Sequence, residues 1–350
     1  MRLGVVIVSF KGRAWLERSL GSCLQYAPGV PVYVVDNASR DGSADFVAER
    51  FLGVTLLRLL QNLGFAGGNN VGIKAALADG AEAVFLLNQD AELTEGCLST
   101  LEQYLLAHPR VGAVQPAIFL PDGRVNSLGN VYHYLGFAES AGNGLDFETA
   151  RQRLPWVRGE GEPPYLSGAA VLMRAEALKQ VGLFDEALFL YHEDLELSLR
   201  VRAGGWQLAL APGGRVTHHQ GATSKLQYYY MERNRLLVWG WIFGTPTLLI
   251  LLPAFIVSEL ALLFTATIRG WLGVKLRAYA YFLKSSTWQL VSQRRTQWRK
   301  LSRVKDGYIL SYASSRLLYR RAAEGGWLTQ YVFNPFSTIL WILLKPLIRW

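Results

Sequence analysis

Four short apolar runs in the first ninety residues each lead into a polar side chain. Val5-Val6-Ile7-Val8 leads to Ser9, Val32-Tyr33-Val34-Val35 to Asp36, Thr55–Leu60 to Asn62, and Ala83–Leu87 to Asn88. Segments with helical spacing separate them, over Ala14–Leu24, Gly42–Phe51 and Gly68–Ala78. Short β-rich runs alternating with helices predict an α/β fold around a mainly parallel sheet. Ligands of such sheets bind beyond the C-terminal strand ends, where these polar clusters fall.

The fourth cluster carries the most chemistry. Asn88 and Asp90 are two residues apart, so on an extended chain they point to the same side. Two oxygen-bearing groups there suit a divalent cation and the diphosphate bound to it, because Mg²⁺ and Mn²⁺ bind through one or two carboxylates plus substrate phosphates. The competing reading is a turn closed by an Asx hydrogen bond. Asp36 ends its strand where a carboxylate can accept from a nucleobase N–H or a ribose hydroxyl, whereas Asp41 and Ser43 read as helix-start chemistry. The Gly/Asn-rich loop from Gln61 to Gly72 opens a helix, which favours anions and close backbone approach. It contains neither Gly-x-Gly-x-x-Gly nor Gly-Lys-Ser/Thr, so a dehydrogenase or P-loop NTPase is excluded. His192-Glu193-Asp194 begins another helix. Acids in a first turn complement the helix dipole, and one turned into a cleft can deprotonate an alcohol. His218 and His219 close a further strand-like segment.

The rest of the chain is of a different kind. Residues 236–268 are apolar apart from small polar residues, Pro246, Pro253 and Glu259, long enough for a membrane helix. Between Arg269 and Arg321 stand thirteen Lys/Arg and one acid, Asp306, in a chain whose net charge is +9. A basic block beside an apolar run points to anionic lipid rather than nucleic acid. With both flanks expected on the cytoplasmic side, a kinked hairpin or interfacial helices fit better than one clean span. A second apolar stretch, about 336–350, carries Lys345, Arg349 and Trp350 and suits an amphipathic interfacial helix. Cys23 and Cys97 form no disulfide framework or zinc spacing, consistent with a reducing compartment. The strand-like segment that follows Met1-Arg2 is too short for the apolar core of a signal peptide, so none is expected there.

Over residues 3–235 the chain resembles the family 2 glycosyltransferases of GT-A fold. The likeness is carried in order by VVIVSF, VDNASRDGS, NLGFAGGNN, LLNQD, SGAAVLMR, GLFDE, HEDLELSLR and HHQGATS. The nearest subgroup in pattern is the bacterial rhamnosyltransferase-type polysaccharide enzymes. The resemblance implies a Rossmann-like GT-A domain over 1–235, and the apolar and basic segments after it predict a membrane-associated helical region over 236–350. It implies inverting transfer of a sugar from a nucleotide-sugar donor, such as dTDP-rhamnose or a UDP-sugar, to a lipid-linked or polysaccharide acceptor, assisted by Mg²⁺ or Mn²⁺. Asp194 corresponds to the general base, with Glu193 supporting it. Ser9, Asp36, Asn62, Gly68, Asn69 and Asn88 fall on the donor side. Ser167, Gly168 and Ala169 form the acceptor loop, and Asp90 and His218 meet the metal, with the adjacent His219 as the alternative. Asn88 stands where the family often has a first Asp, which lowers the charge of the site. The expected place of work is the cytoplasmic face of a bacterial-type inner membrane. A non-catalytic sugar-nucleotide or membrane-binding protein on a degenerate GT-A fold is the alternative, opposed by Asp90, Glu193, Asp194 and His218 all being present.

Overall fold

The computed structural model describes residues 1–219, 225–317, 327 and 329–350. They form two compact units, one of residues 1–130 and 140–221, the other of residues 131–139 and 222–350.

The first unit starts with β1 (Leu3–Ser9), α1 (Leu16–Tyr26), β2 (Val32–Asp36), α2 (Ser43–Arg50), β3 (Thr55–Arg58), α3 (Gly64–Ala78) and β4 (Ala83–Leu87). There follow β5 (Ala91–Leu93), α4 (Cys97–Ala107), β6 (Val111–Phe119) and β7 (Val125–Ser127). A ribbon of β8 (Asn130–Tyr132) and β9 (Ala138–Ser140) carries residues 131–139 into the second unit. The first unit then closes with α5 (Phe147–Arg153), β10 (Ala170–Arg174), α6 (Ala175–Val181), α7 (Glu193–Ala203) and β11 (Gln207–His218).

The central sheet runs β3-β2-β1-β4-β10-β6-β11-β5, with β7 on β6. It is parallel from β3 to β4, as expected. Beyond β4 it is mixed, because β10 runs antiparallel between β4 and β6 and β11 runs antiparallel to β5. Alternation along β1 makes it two-sided. Val5 and Ile7 join Leu16 and Leu20 of α1 and Leu98 and Leu101 of α4 in one core, while Val6 and Val8 meet α3. That helix lies very close to the sheet. A Cβ on Gly72 would stand 2.3 Å from Val6 Cγ1, and one on Gly68 2.7 Å from Val8 Cγ1. The third strand stops at Arg58, short of the expected Leu60, which is fully exposed.

The second unit contains α8 (Lys225–Ile242), α9 (Thr245–Ile268), α10 (Leu272–Ala280), α11 (Ser285–Leu301), α12 (Asp306–Ser311) and α13 (Asn334–Leu344). The expected division at residue 235 falls inside α8. The apolar run 236–268 is two elements, the buried end of α8 and the whole of α9, separated at Phe243-Gly244. Pro246 lies in the first turn of α9, where a missing N–H costs nothing, and Pro253 lies inside it. Among the described residues α9 is the one helix long and apolar enough to cross a membrane. Its Glu259 is paired with Arg235 of α8 and with Lys275 of α10 (Nζ–Oε2 2.8 Å). Glu232 completes the cluster from α8, 3.1 Å from Arg235. Asp306, the acid of the basic segment, accepts from Gly244 N (2.7 Å) and Thr247 Oγ1 (2.6 Å) and so caps the N-terminus of α9. Within the last apolar stretch, α13 ends at Leu344 and a 3₁₀ turn follows over Lys345–Leu347. Gln220–Ser224 of the HHQGATS motif, and Arg320 and Arg321 of the basic block, lie outside the described residues.

Candidate active site

The polar ends of β1, β2 and β4 meet at one edge of the first unit. Ser9 and Asp36 are register partners on β1 and β2. Asp36 Oδ2 accepts from Ser39 N at 3.2 Å, but its Oδ1 and the Ser9 Oγ are buried without a hydrogen-bond partner. A buried oxygen left unpaired costs about 1–3 kcal/mol. Both residues stand at the C-terminal ends of their strands. The residue after Asp36, Asn37, is the brace of this corner. Its Oδ1 accepts from Leu63 N (2.8 Å) and its Nδ2 donates to Gly64 O (2.9 Å), tying β2 to the loop that opens α3.

That loop is shaped by its own residues. Asn62 Oδ1 accepts from Gly64 N at 2.8 Å. Gly64 has φ +72°, and a Cβ there would come within 2.3 Å of Phe189 O, so only glycine fits. Gly68 and Asn69 lie on α3. Gly68 packs on Val8, and Asn69 is buried with its Nδ2 donating to Phe65 O (2.9 Å).

At the end of β4 the chain turns, with Ala91 N donating to Asn88 O at 3.0 Å. The bond goes to the backbone carbonyl rather than to the Asn88 side chain, and the turn brings Asn88 and Asp90 to one histidine. His218 Nε2 lies 3.3 Å from Asp90 Oδ1 and 3.4 Å from Asn88 Nδ2. Its Nδ1 lies 3.0 Å from Asn126 Oδ1. His219 goes elsewhere, with Nε2 2.5 Å from Glu92 Oε1 and its ring 5.1 Å from that of Trp15. Of the two adjacent histidines, the structure places His218 at Asp90. Gln89, between Asn88 and Asp90, turns back, its Oε1 accepting from Phe10 N (2.9 Å). Among the described residues no group of three or more His, Cys, Asp or Glu is disposed to hold a metal. Asp90, His218 and Asn88 make a smaller polar set at the end of β4, in which Asp90 Oδ1 and Asn88 Nδ2 both face His218 Nε2.

The loop Ser167-Gly168-Ala169 bridges this corner to α7. Ala169 O accepts from Asn88 N (2.9 Å), and Gly168 N donates to Asp194 Oδ2 (3.2 Å). Ser167 N donates to Gln115 Oε1 (2.7 Å), and Gln115 Nε2 to Ser127 Oγ (3.0 Å). Asp194 Oδ1 accepts from Leu195 N (2.7 Å). Burial pushes the Asp194 carboxyl up to about 6. Glu193 is raised well above the usual carboxylate range, first by burial and then by the charge of Asp194 beside it, and its Oε2 has no hydrogen-bond partner. The third acid of the turn, Glu196, is committed to Arg200 (Nη2–Oε2 2.7 Å), which also holds the carbonyls of Val181 and Leu183. The backbone entering α7 is strained: Phe189, Tyr191 and His192 all have φ between 64° and 68°. Non-glycine residues in that region cost about 1–3 kcal/mol each and gather at functional sites.

Sequence reasoning missed Asn126 and Gln115. Gln115 left a readable signal, since it interrupts an otherwise apolar β6 and a buried amide must be paired. Asn126, in the short Val125-Asn126-Ser127 strand, left none.

The model of the family "Glycosyltransferase like family 2" matches residues 2–237. The chain is 33% identical over 238 residues to the N-acetylglucosaminyl-diphospho-decaprenol L-rhamnosyltransferase of Mycobacterium tuberculosis, covering 62% of this chain and 76% of that one. It is 25% identical over 223 residues to the dTDP-rhamnosyl transferase RfbF of Shigella flexneri, covering 59% and 70% respectively. The crystal structure of GalNAc-T7 with UDP, GalNAc and Mn²⁺ superposes with a TM-score of 0.56 at 18% identity, over 70% of this chain and about half (48%) of that one, a likeness of fold. The two-sided sheet, with its polar edge at the strand ends, is thus of the GT-A type, and the chain belongs to the family 2 glycosyltransferases.

Proposed function

We propose that this glycosyltransferase moves a deoxyhexose, L-rhamnose from a dTDP donor, onto a polyprenyl-diphosphate-linked sugar at the cytoplasmic face of a bacterial-type membrane, with inversion. The names of the two rhamnosyltransferase relatives support donor and acceptor. The observation that carries the reaction is the half-buried Asp194 carboxyl, raised to about 6 and joined through Gly168 and Ala169 to the Asn88–Asp90 corner.

Ser9 Oγ and Asp36 Oδ1 offer their unpaired oxygens to the nucleoside. Asp90 and His218, with Asn88, would hold Mg²⁺ or Mn²⁺, which supplies charge neutralisation for the leaving diphosphate. Asn126 holds the far nitrogen of His218 and so orients the ring, as outer partners of metal-bound histidines do. At the acceptor end, Gly168 N–H fixes one oxygen of Asp194 and Leu195 N–H the other. Asp194 takes the proton of the acceptor hydroxyl. The hydroxyl oxygen bonds to the anomeric carbon as that carbon's bond to the diphosphate oxygen breaks, and the nucleoside diphosphate leaves with the electron pair. Glu193 beside it is raised well above the usual carboxylate range by burial, and Asp194 is the carboxylate that ionises at about 6.

The test is transfer from a panel of nucleotide sugars to polyprenyl-diphospho-N-acetylglucosamine, read by mass spectrometry and by the anomeric configuration of the product. A rhamnosylated product of inverted configuration is expected with the dTDP donor. Transfer from another donor alone overturns the sugar assignment, and nucleotide binding with no transfer to any acceptor favours the non-catalytic reading.

A further inference from the structure

The second unit exposes two apolar helix faces. On α9, Thr247, Leu251, Ala254, Ser258, Glu259 and Ala266 are buried, while the opposite stripe carries Leu249 (62% exposed), Ile256, Leu260 and Phe264 (64%). On α13, Asn334, Ser337 and Trp341 are buried, while Ile339 and Leu343 stand exposed. The two helices touch each other. Basic groups rim the pair, with Arg269 at the end of α9 and Lys345 and Arg349 after α13, all exposed.

The opposite side of α9 faces protein and carries one charge. Glu259, three-fifths of the way along the helix, is held by Arg235 and Lys275 and receives the Tyr279 hydroxyl. Both cations come from helices that pack on one another, α8 and α10, and α11 packs on α8 with Arg299 and Lys300 exposed. A helix of 24 residues is about 36 Å long, enough to cross a bilayer core of about 30 Å. Crossing would carry Glu259 near the midplane and bring its partner helices, with their outward charges, to the same depth. A helix lying flat has no such conflict: one side meets acyl chains and the other meets protein.

We propose that α9 and α13 form a single docking face that lies in one leaflet, parallel to the membrane plane and steered there by anionic lipid, and that α9 does not cross. This rests on the reading above that the protein works at a membrane.

Single cysteines at Leu249, Ile256, Phe264 and Ile339 of the full chain, each bearing an environment-sensitive fluorophore, test it. The native Cys23 and Cys97 are buried and their thiols are pushed up to about 12, so labelling goes to the introduced sites. Vesicles of phosphatidylglycerol and phosphatidylethanolamine carry nitroxides either near the headgroup or deep in the chain. The expected result is one shallow depth at all four sites, no quenching at a Thr296 control on exposed α11, and weaker binding to pure phosphatidylcholine. A depth profile deepest at Ile256 and shallow at Leu249 and Phe264 overturns the in-plane arrangement and leaves the membrane reading intact. Absence of binding to either vesicle overturns both. Ile256→Glu with Leu260→Glu should lower partitioning by at least about tenfold, since two large apolar side chains no longer enter lipid. An unchanged partition overturns the proposed face.

Discussion

At the acceptor end, two neighbouring carboxylates are separated in role by what surrounds them. Asp194 has backbone donors for both oxygens, whereas Glu193 has a buried oxygen with none. Asp194→Asn keeps the shape and removes the basicity, so turnover should fall about 10²–10⁴-fold while donor affinity, measured by calorimetry, stays near wild type. Turnover of the wild type should rise with pH through about 6 as Asp194 ionises. Glu193 should show itself in stability. Its native-state pKa is raised, so between its ordinary value and the raised one the unfolded chain gives up a proton that the native state keeps, and stability falls as pH rises. Glu193→Gln has no proton to lose. It should therefore melt above wild type at about pH 8, with the gap closing towards about pH 4. On the donor side, Asp90→Ala should abolish Mn²⁺-dependent nucleotide binding in calorimetry, and Asn126→Ala should weaken it about 10–100-fold by freeing the His218 ring.

Elements explain what could and could not be read from the sequence. The β-runs and their polar ends were legible because strand periodicity and turn chemistry are local, and the ends of β2 and β4 fall at the expected residues. The choice between His218 and His219 was not, because it depends on pairing with a distant strand. His218 is the register partner of Ala91 on β5, and the next residue points the other way, to Glu92. Gln115 belongs to a contact between β6 and β7 and Asn126 to one between β7 and β11, which no spacing rule encodes. The glycines of α3 were read as ligand approach, but at Gly68 and Gly72 the close neighbour is the sheet. Gly72→Ala gains about 1 kcal/mol of helix propensity and drives a methyl into Val6, an overpacking cost of about 1–3 kcal/mol. Net destabilisation in a denaturant titration is the expected outcome. In the second unit, Glu259→Ala leaves Arg235 and Lys275 short of a buried partner and should cost about 3–5 kcal/mol.

The whole molecule joins a sheet-based catalytic unit to a helical unit whose outward apolar side chains have no reason to be exposed in water. Charge attraction to anionic lipid is screened by salt, and burial of apolar surface is not. High salt should therefore leave the protein in the membrane pellet of a cell lysate and detergent should release it. Release by salt alone would reduce the helical unit to an electrostatic tether.

The left-handed backbone at Phe189, Tyr191 and His192 sets two selections against each other. Glycine relieves such a conformation, so a library screened only for heat resistance would accept glycine at Tyr191 early. The same change loosens the entry to α7, whose first turn holds both Glu193 and Asp194. Lineages chosen by temperature and lineages chosen by product would part at this short segment first, and their divergence would chart how much rigidity the acid pair requires.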